Sequence, residues 1–136
     1  MADNARFATP GVNIRLFCSI PMVALSRAVN AKAAMEMLLL GDMVEAQRAY
    51  EIGLVNRVVP AAQLDQAVAA MASKIAAKSG PVLAIGKAAF GKQVELGLEA
   101  AYDYAATVMT NNMALADAEE GIDAFLGKRQ PLWREG

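Results

Sequence analysis

The chain has 136 residues, no histidine and one cysteine. Histidine is the usual general base near neutral pH and the usual transition-metal ligand. Without it, and with only Cys18 as a thiol, a Cys–His nucleophile pair and a zinc site are excluded. Acid–base chemistry must then rest on carboxylates, lysine or tyrosine. Glu36, Glu45, Glu51, Glu95 and Glu99 are candidate carboxylates, but helical spacing puts most of them on solvated faces. Tyr102 falls on an apolar helix face and reads as core, while Tyr104 stays open. Cys18, among apolar neighbours, reads as a small buried hydrophobe rather than a nucleophile. Neither a phosphate loop nor a glycine-rich dinucleotide fingerprint is present, so no cofactor and no metal are expected.

The elements that would position these groups are organised around Gly41 to Pro60, GDMVEAQRAYEIGLVNRVVP. Gly41 ends one helical pattern. Glu45 to Ile52 make a short helix, which Gly53 closes because a residue without Cβ can take the left-handed conformation. Leu54, Val55, Val58 and Val59 read as a brief buried strand stopped by Pro60. Upstream, Ala5 to Ser19 is irregular to extended, with Val12, Ile14, Leu16 and Phe17 suited to a buried edge or loop. Met22 to Val29 suit a helical turn after Pro21. Asn30 is placed to cap a helix over 31–40, with Ala34, Met35, Leu38 and Leu39 on its apolar face and a Lys32–Glu36 pair on the other. Downstream, Leu64, Val68, Met71 and Ile75 are spaced 4, 3 and 4 in a helix over 61–77. Pro81 opens a further helix, lined by Val82, Ile85 and Ala89, which runs to about Leu96. Another helix spans 98–115, and Asp117 caps a last one that Gly127 closes. Asn111 and Asn112 mark either a polar contact or a subunit junction.

Composition bounds the partners. Hydrophobic residues make up 56% of the chain and aromatic residues 6%. The surplus is alanine and methionine, which suits close helix packing and apolar surface buried on another subunit. A net charge of −1 and a pI of about 5.4 give no basic field for nucleic acid. The run Leu38-Leu39-Leu40, bounded by Glu36 and Asp42, is too short to span a bilayer, so no membrane partner is expected. The opening MADNARFATPG lacks the layout of a signal or transit peptide, so a cytoplasmic protein is expected.

Two motifs go further. Gly41-Asp42, Ala46, Ala49, Gly53-Leu54-Val55 and Val58-Val59-Pro60 resemble a segment of the enoyl-CoA hydratase/isomerase (crotonase) family. Glu120 to Arg129, with Pro131 and Trp133, resembles that family's C-terminal helix. The start, Phe7 to Ile14 followed by Leu16 to Ser19 and Pro21, is similar to one branch of the family. The resemblance covers essentially all of the chain but only the C-terminal half of the family's usual length. It implies a mostly α chain, the C-terminal helical half of a crotonase-like (ClpP/crotonase) α/β fold, with one or two short strands near the N-terminus. Residues 1–136 would form a single helical domain: 1–60 a remnant of the spiral core, 61–136 the oligomerisation helices.

The resemblance also sets the chemical expectations. Enolate charge on an acyl-CoA thioester would be stabilised by two backbone N–H groups from the family's N-terminal half. Of the two glutamates that handle water, one belongs to that half. The other follows the proline matched here by Pro10, so its position is held by Gly11, which cannot transfer a proton. No catalytic residue is therefore assigned. Lys128 matches a lysine that contacts the phosphate end of coenzyme A, flanked by Arg129 and Phe125. Alternatively, Lys128 and Arg129 complement the end of their own helix. Phe17, Pro21 and Met22 would line the acyl pocket, or simply form a helix-capping loop. Arg15 stands where the similar branch has glycine. It is either a solvated substitution or a disturbance of that loop. Two readings follow. In one, the chain is part of an acyl-CoA enzyme of this family, inactive as a hydratase alone, with acyl-CoA as ligand and a trimer or hexamer as its assembly. In the other, it is a non-catalytic helical oligomerisation or interaction module.

Overall fold

The computed structural model describes residues 1–133. In chain order these form β1 (Arg6–Phe7), a 3-10 turn (Pro10–Ile14), α1 (Ser19–Ala28), α2 (Ala31–Leu40), β2 (Val44–Glu45) and α3 (Ala46–Glu51). A second 3-10 turn (Ala61–Gln63) leads into α4 (Leu64–Ala76), α5 (Gly80–Gln93), α6 (Leu98–Met113) and α7 (Ala116–Leu126). The chain divides into two compact units, Met1–Ala70 and a second from Met71 onward. That boundary lies inside α4.

In the first unit β1 and β2 pair antiparallel, with Arg6 opposite Glu45 and Phe7 opposite Val44. α1 packs on α2. Leu25 and Val29 meet Ala33, Ala34, Met37 and Leu38 in the core, with Cys18, Met22, Val44, Ile52 and Leu54 packed around it. Asn30 caps α2 as expected: its side-chain oxygen accepts the Ala33 N–H at 3.0 Å. Gly41 closes the helix at φ 65°.

The buried face of α2 differs from expectation. Ala33, Ala34, Met37 and Leu38 are inside, while Met35 and Leu39 are exposed. Apolar residues run almost all round this helix, so periodicity alone does not select a face. Partners select it: Leu25 and Val29 pack there, and the Thr9 hydroxyl donates to the Met37 carbonyl at 2.8 Å. Glu36 turns from Lys32 to Arg48, at 3.3 Å.

Other boundaries also move. α1 begins at Ser19, with Pro21 in its first turn, where its missing N–H has no helical acceptor to lose. Ile14 and Leu16 are exposed rather than forming a buried edge. Residues 54–59 form no strand. Only Val59 pairs, in a single parallel bridge with Ala2, because its neighbours find no second chain to bond. α3 ends as read: Gly53, at φ 81°, donates to Tyr50 O (3.0 Å), and Leu54 N–H donates to Ala49 O (2.9 Å). That pair of bonds is a Schellman closure.

In the second unit α5 and α6 pack together and α7 closes against both. Ser79 caps α5, accepting the Val82 N–H at 3.3 Å, with Pro81 in the first turn. α5 stops at Gln93, and Gly97 caps α6 rather than ending α5. α7 begins at Ala116, one turn position before Asp117. Tyr102 is exposed, not core. The α4 stripe forms as a helix but stays largely uncovered, with Val68 57% and Ile75 56% exposed.

The rotated face of α2 gives a direct check. Leu38→Ala should cost about 2–5 kcal/mol in urea unfolding, while Leu39→Ala should stay within about 0.5 kcal/mol. Equal losses would restore the face read from periodicity.

Candidate functional site

Two regions gather the candidate residues, one in each unit. The first is the turn from Thr9 to Met22. Pro10–Ile14 winds as a 3-10 turn, and Gly11 N–H donates to Cys18 Sγ at 3.3 Å while Gly11 O accepts from Leu16 N–H at 2.9 Å. Those bonds fold residues 11–18 onto themselves. A Cβ built on Gly11 would lie 2.8 Å from both Cys18 Sγ and Leu16 O. No side chain fits there unless the loop opens. Cys18 is half-buried and packs on the core, so it acts as filler and hydrogen-bond acceptor.

Arg15 closes the 3-10 turn at φ 63°, a left-handed conformation that glycine takes without strain. The pocket candidates then diverge. Pro21 lines a groove of about 230 Å³ with Phe7, Thr9, Leu25, Met37 and Leu54. Met22 turns into the core instead, and Phe17 is largely exposed away from the groove. A second apolar groove, of about 240 Å³, lies between α5 and α6 and is lined by Ile85, Phe90, Tyr104, Met109 and Asn112. Asn112 Oδ1 is enclosed there and accepts no hydrogen bond among the described residues. The periodic faces of α5 and α6 were legible; the open groove between them was not, since residue type does not reveal how far two helices splay. Lys92 Nζ stands 4.5 Å from the Tyr104 ring centroid, a cation–π pair that also went unread. Among the described residues, no group of three ligating side chains is placed to hold a metal ion.

The second region is the end of α7. Gly127 was expected to close this helix. It is the last residue of right-handed backbone, and Lys128, at φ 51°, takes the left-handed position. Lys128 N–H donates to Phe125 O (3.2 Å) and Arg129 N–H to Ala124 O (3.0 Å), the same Schellman pattern that Gly53 completes in α3. The chain then folds back. Arg129 grips Glu120 in two parallel bonds, Nη1 to Oε1 at 2.6 Å and Nη2 to Oε2 at 2.9 Å. Glu120 Oε1 also accepts the Leu132 N–H at 2.7 Å. Trp133 lies against Gly121 and donates from Nε1 to Ala77 O at 2.8 Å.

Arg129 is therefore engaged with Glu120. Lys128 is exposed and makes no ion pair among the described residues, and Phe125 is 82% exposed beside it. The Arg129 guanidinium, helped by the Leu132 N–H, holds the Glu120 carboxyl down at about 2. The same pairing raises the Arg129 guanidinium.

Comparison with known proteins identifies this architecture. The whole chain, residues 1–136, matches the family model described as enoyl-CoA hydratase/isomerase, and the chain belongs to that family. Human enoyl-CoA hydratase domain-containing protein 3, mitochondrial, is 50% identical over 132 residues, covering 97% of this chain and 44% of the relative. The rat protein of that name is 49% identical over the same length. Among solved structures, an enoyl-CoA hydratase from Mycobacterium smegmatis superposes with a TM-score of 0.94 at 52% identity, over 97% of this chain and 51% of that one. The structure of the human domain-containing protein 3 gives 0.93 at 50% identity, over 97% and 52%. The chain thus spans about half the length of the relatives it matches, as a mostly helical portion of a crotonase-like fold.

The expectation of a cytoplasmic protein is corrected. The human, rat and mouse relatives are named mitochondrial. The expectation rested on residues 1–11 alone, and a chain that aligns with 44% of its relatives cannot carry a targeting argument from its first residues.

Two outcomes follow. Gly11→Ala should destabilise the chain by about 1–3 kcal/mol, the scale of forced overpacking. Arg15→Gly should raise stability by roughly 0.5 kcal/mol, because relief of left-handed strain exceeds the entropy added to the unfolded chain. Chemical denaturation of both variants checks the pair. The Glu120 carboxyl is lower in the folded chain than its ordinary 4.5, so its contribution is complete above about 4.5 and is lost as pH falls through about 2. Emission from Trp133, the chain's one tryptophan, should report that acid step in wild type and not in Glu120→Gln.

Proposed function

We propose that this chain is the helical, assembly-forming portion of an acyl-CoA protein of the enoyl-CoA hydratase/isomerase family, and that alone it does not hydrate enoyl-CoA. Family membership supports acyl-CoA as the substrate class. The local chemistry argues against turnover by this chain alone. Hydration needs a group that takes a proton from water and donors that hold the developing enolate charge. In this reading those donors, and one glutamate, belong to the half of the fold that this chain does not span. The remaining glutamate position is Gly11, where Cys18 Sγ and Leu16 O occupy the space of a Cβ. In this reading Lys128 serves the phosphate end of coenzyme A, with Phe125 beside it and Arg129 braced on Glu120. An ammonium on a flexible stem suits a phosphate as a point charge. Pro21 contributes to an acyl groove with Thr9 and Met37.

Self-association is the second part of the proposal, and one observation carries it. From Met71 onward, Ala124 is the one apolar residue fully buried among the described residues. Three helices with so little interior do not offset the entropy of ordering them. Meanwhile Val68, Ile75, Phe90, Leu98 and Met109 lie exposed. Uncovered apolar surface of this kind marks an interface. The same surface favours the other reading, a non-catalytic interaction module, and activity separates the two.

Crotonyl-CoA hydration by the 136-residue chain should not exceed background, and Gly11→Glu should not restore it. Turnover abolished by a substitution within the chain would refute the proposal. Sedimentation should show an assembly, a trimer or hexamer by analogy with the family. A stable monomer at micromolar concentration would remove the second part.

A further inference from the structure

Lys128 holds a position that backbone physics reserves for glycine. Three helices of this chain end on a left-handed residue: α2 on Gly41, α3 beyond Gly53 and α7 beyond Lys128. The α3 and α7 closures share the same two hydrogen bonds, so glycine would serve the second as it serves the first. A lysine there is strained, and strain persists where the surroundings over-determine it. Here the surroundings are identifiable. The residue after Lys128 is clamped by both guanidinium nitrogens to Glu120, and the residues beyond are held by Leu132 N–H on Glu120 and Trp133 Nε1 on Ala77 O. Glu120 is thus the one acceptor that receives three of the bonds anchoring the tail.

We propose that Glu120 is a positioning residue: its grip on Arg129 and Leu132 fixes the strained turn that presents the Lys128 ammonium to a phosphate-bearing ligand. The inference rests on the reading of Lys128 as a coenzyme A contact and adds to it a division of labour between the two adjacent cations. Arg129 does not meet the ligand. A planar fork suits a fixed carboxylate, and that is where it is found. Lys128, one residue earlier, makes no ion pair among the described residues and sits on the left-handed turn itself. Glu120 touches no ligand and acts only through backbone geometry.

The test measures coenzyme A binding to the 136-residue chain by calorimetry, alongside Trp133 emission. Glu120→Gln should shift the emission and weaken binding about tenfold, the scale of one charge-assisted hydrogen bond. Lys128→Gly should abolish binding without lowering the melting temperature, which a purely structural lysine would not do. Unchanged affinity in Glu120→Gln despite shifted emission would overturn the positioning role, and so would unshifted emission. Wild type that does not bind coenzyme A, or Lys128→Gly that binds as well as wild type, would instead remove the reading on which the inference rests.

Discussion

A helix that stops must satisfy its last carbonyls, and in this chain the places where helices stop decide nearly everything else. Left-handed closures at Gly41 and Gly53 reverse the chain on either side of α3, which lets β2 reach β1 and brings Ile52 and Leu54 to the core formed by α1 and α2. A closure that uses glycine carries no strain and presents no side chain. The closure of α7 uses lysine in the same geometry and so presents a charge at a defined place. The closures of α3 and α7 differ by a single side chain on an otherwise shared hydrogen-bond pattern.

The two units bury themselves very differently. The first surrounds Leu38 with side chains from α1 and α2, and the buried Thr9 hydroxyl ties the preceding turn to α2. The second encloses Ala124, Ser79 and Asp117 and leaves its larger apolar side chains outside. Hydrophobic stabilisation scales with area removed from water, so a helical unit that leaves Phe90, Leu98, Met109 and Phe125 exposed gains little from its own interior. Solved structures with roughly twice the chain length share this backbone.

Much of this was legible in the sequence because local chemistry dictates it. Asn30 before an apolar helix and Gly53 after a short one name a cap and a stop, and each performs as named, while Pro81 opens its helix from the first turn. What periodicity could not fix was direction. α2 is apolar nearly all round, so its buried face depended on Thr9, Leu25 and Val29, which are distant in sequence. The strand read at 54–59 failed for the complementary reason: β-branched residues make a strand only where another strand offers its backbone, and here only Ala2 does. At the candidate sites, the family resemblance pointed to Lys128 and Arg129 together, but the pairing of Arg129 with Glu120, nine residues earlier, and the left-handed backbone angle of Lys128 are announced by no residue type.

Gly11 and Lys128 stand at opposite ends of one chemical question. Proton transfer requires a titratable group within reach of water, and a backbone position closed by a sulfur and a carbonyl oxygen cannot carry one without rebuilding the loop. Binding a phosphate requires only a positioned cation, which can survive alone on a helix end. Function built from binding is therefore easier to retain in part of a fold than function built from catalysis. Catalysis needs donors, a base and a substrate converging within ångströms from several segments. The closure of α7 draws on residues 116–133 and on the Ala77 carbonyl, all within the second unit.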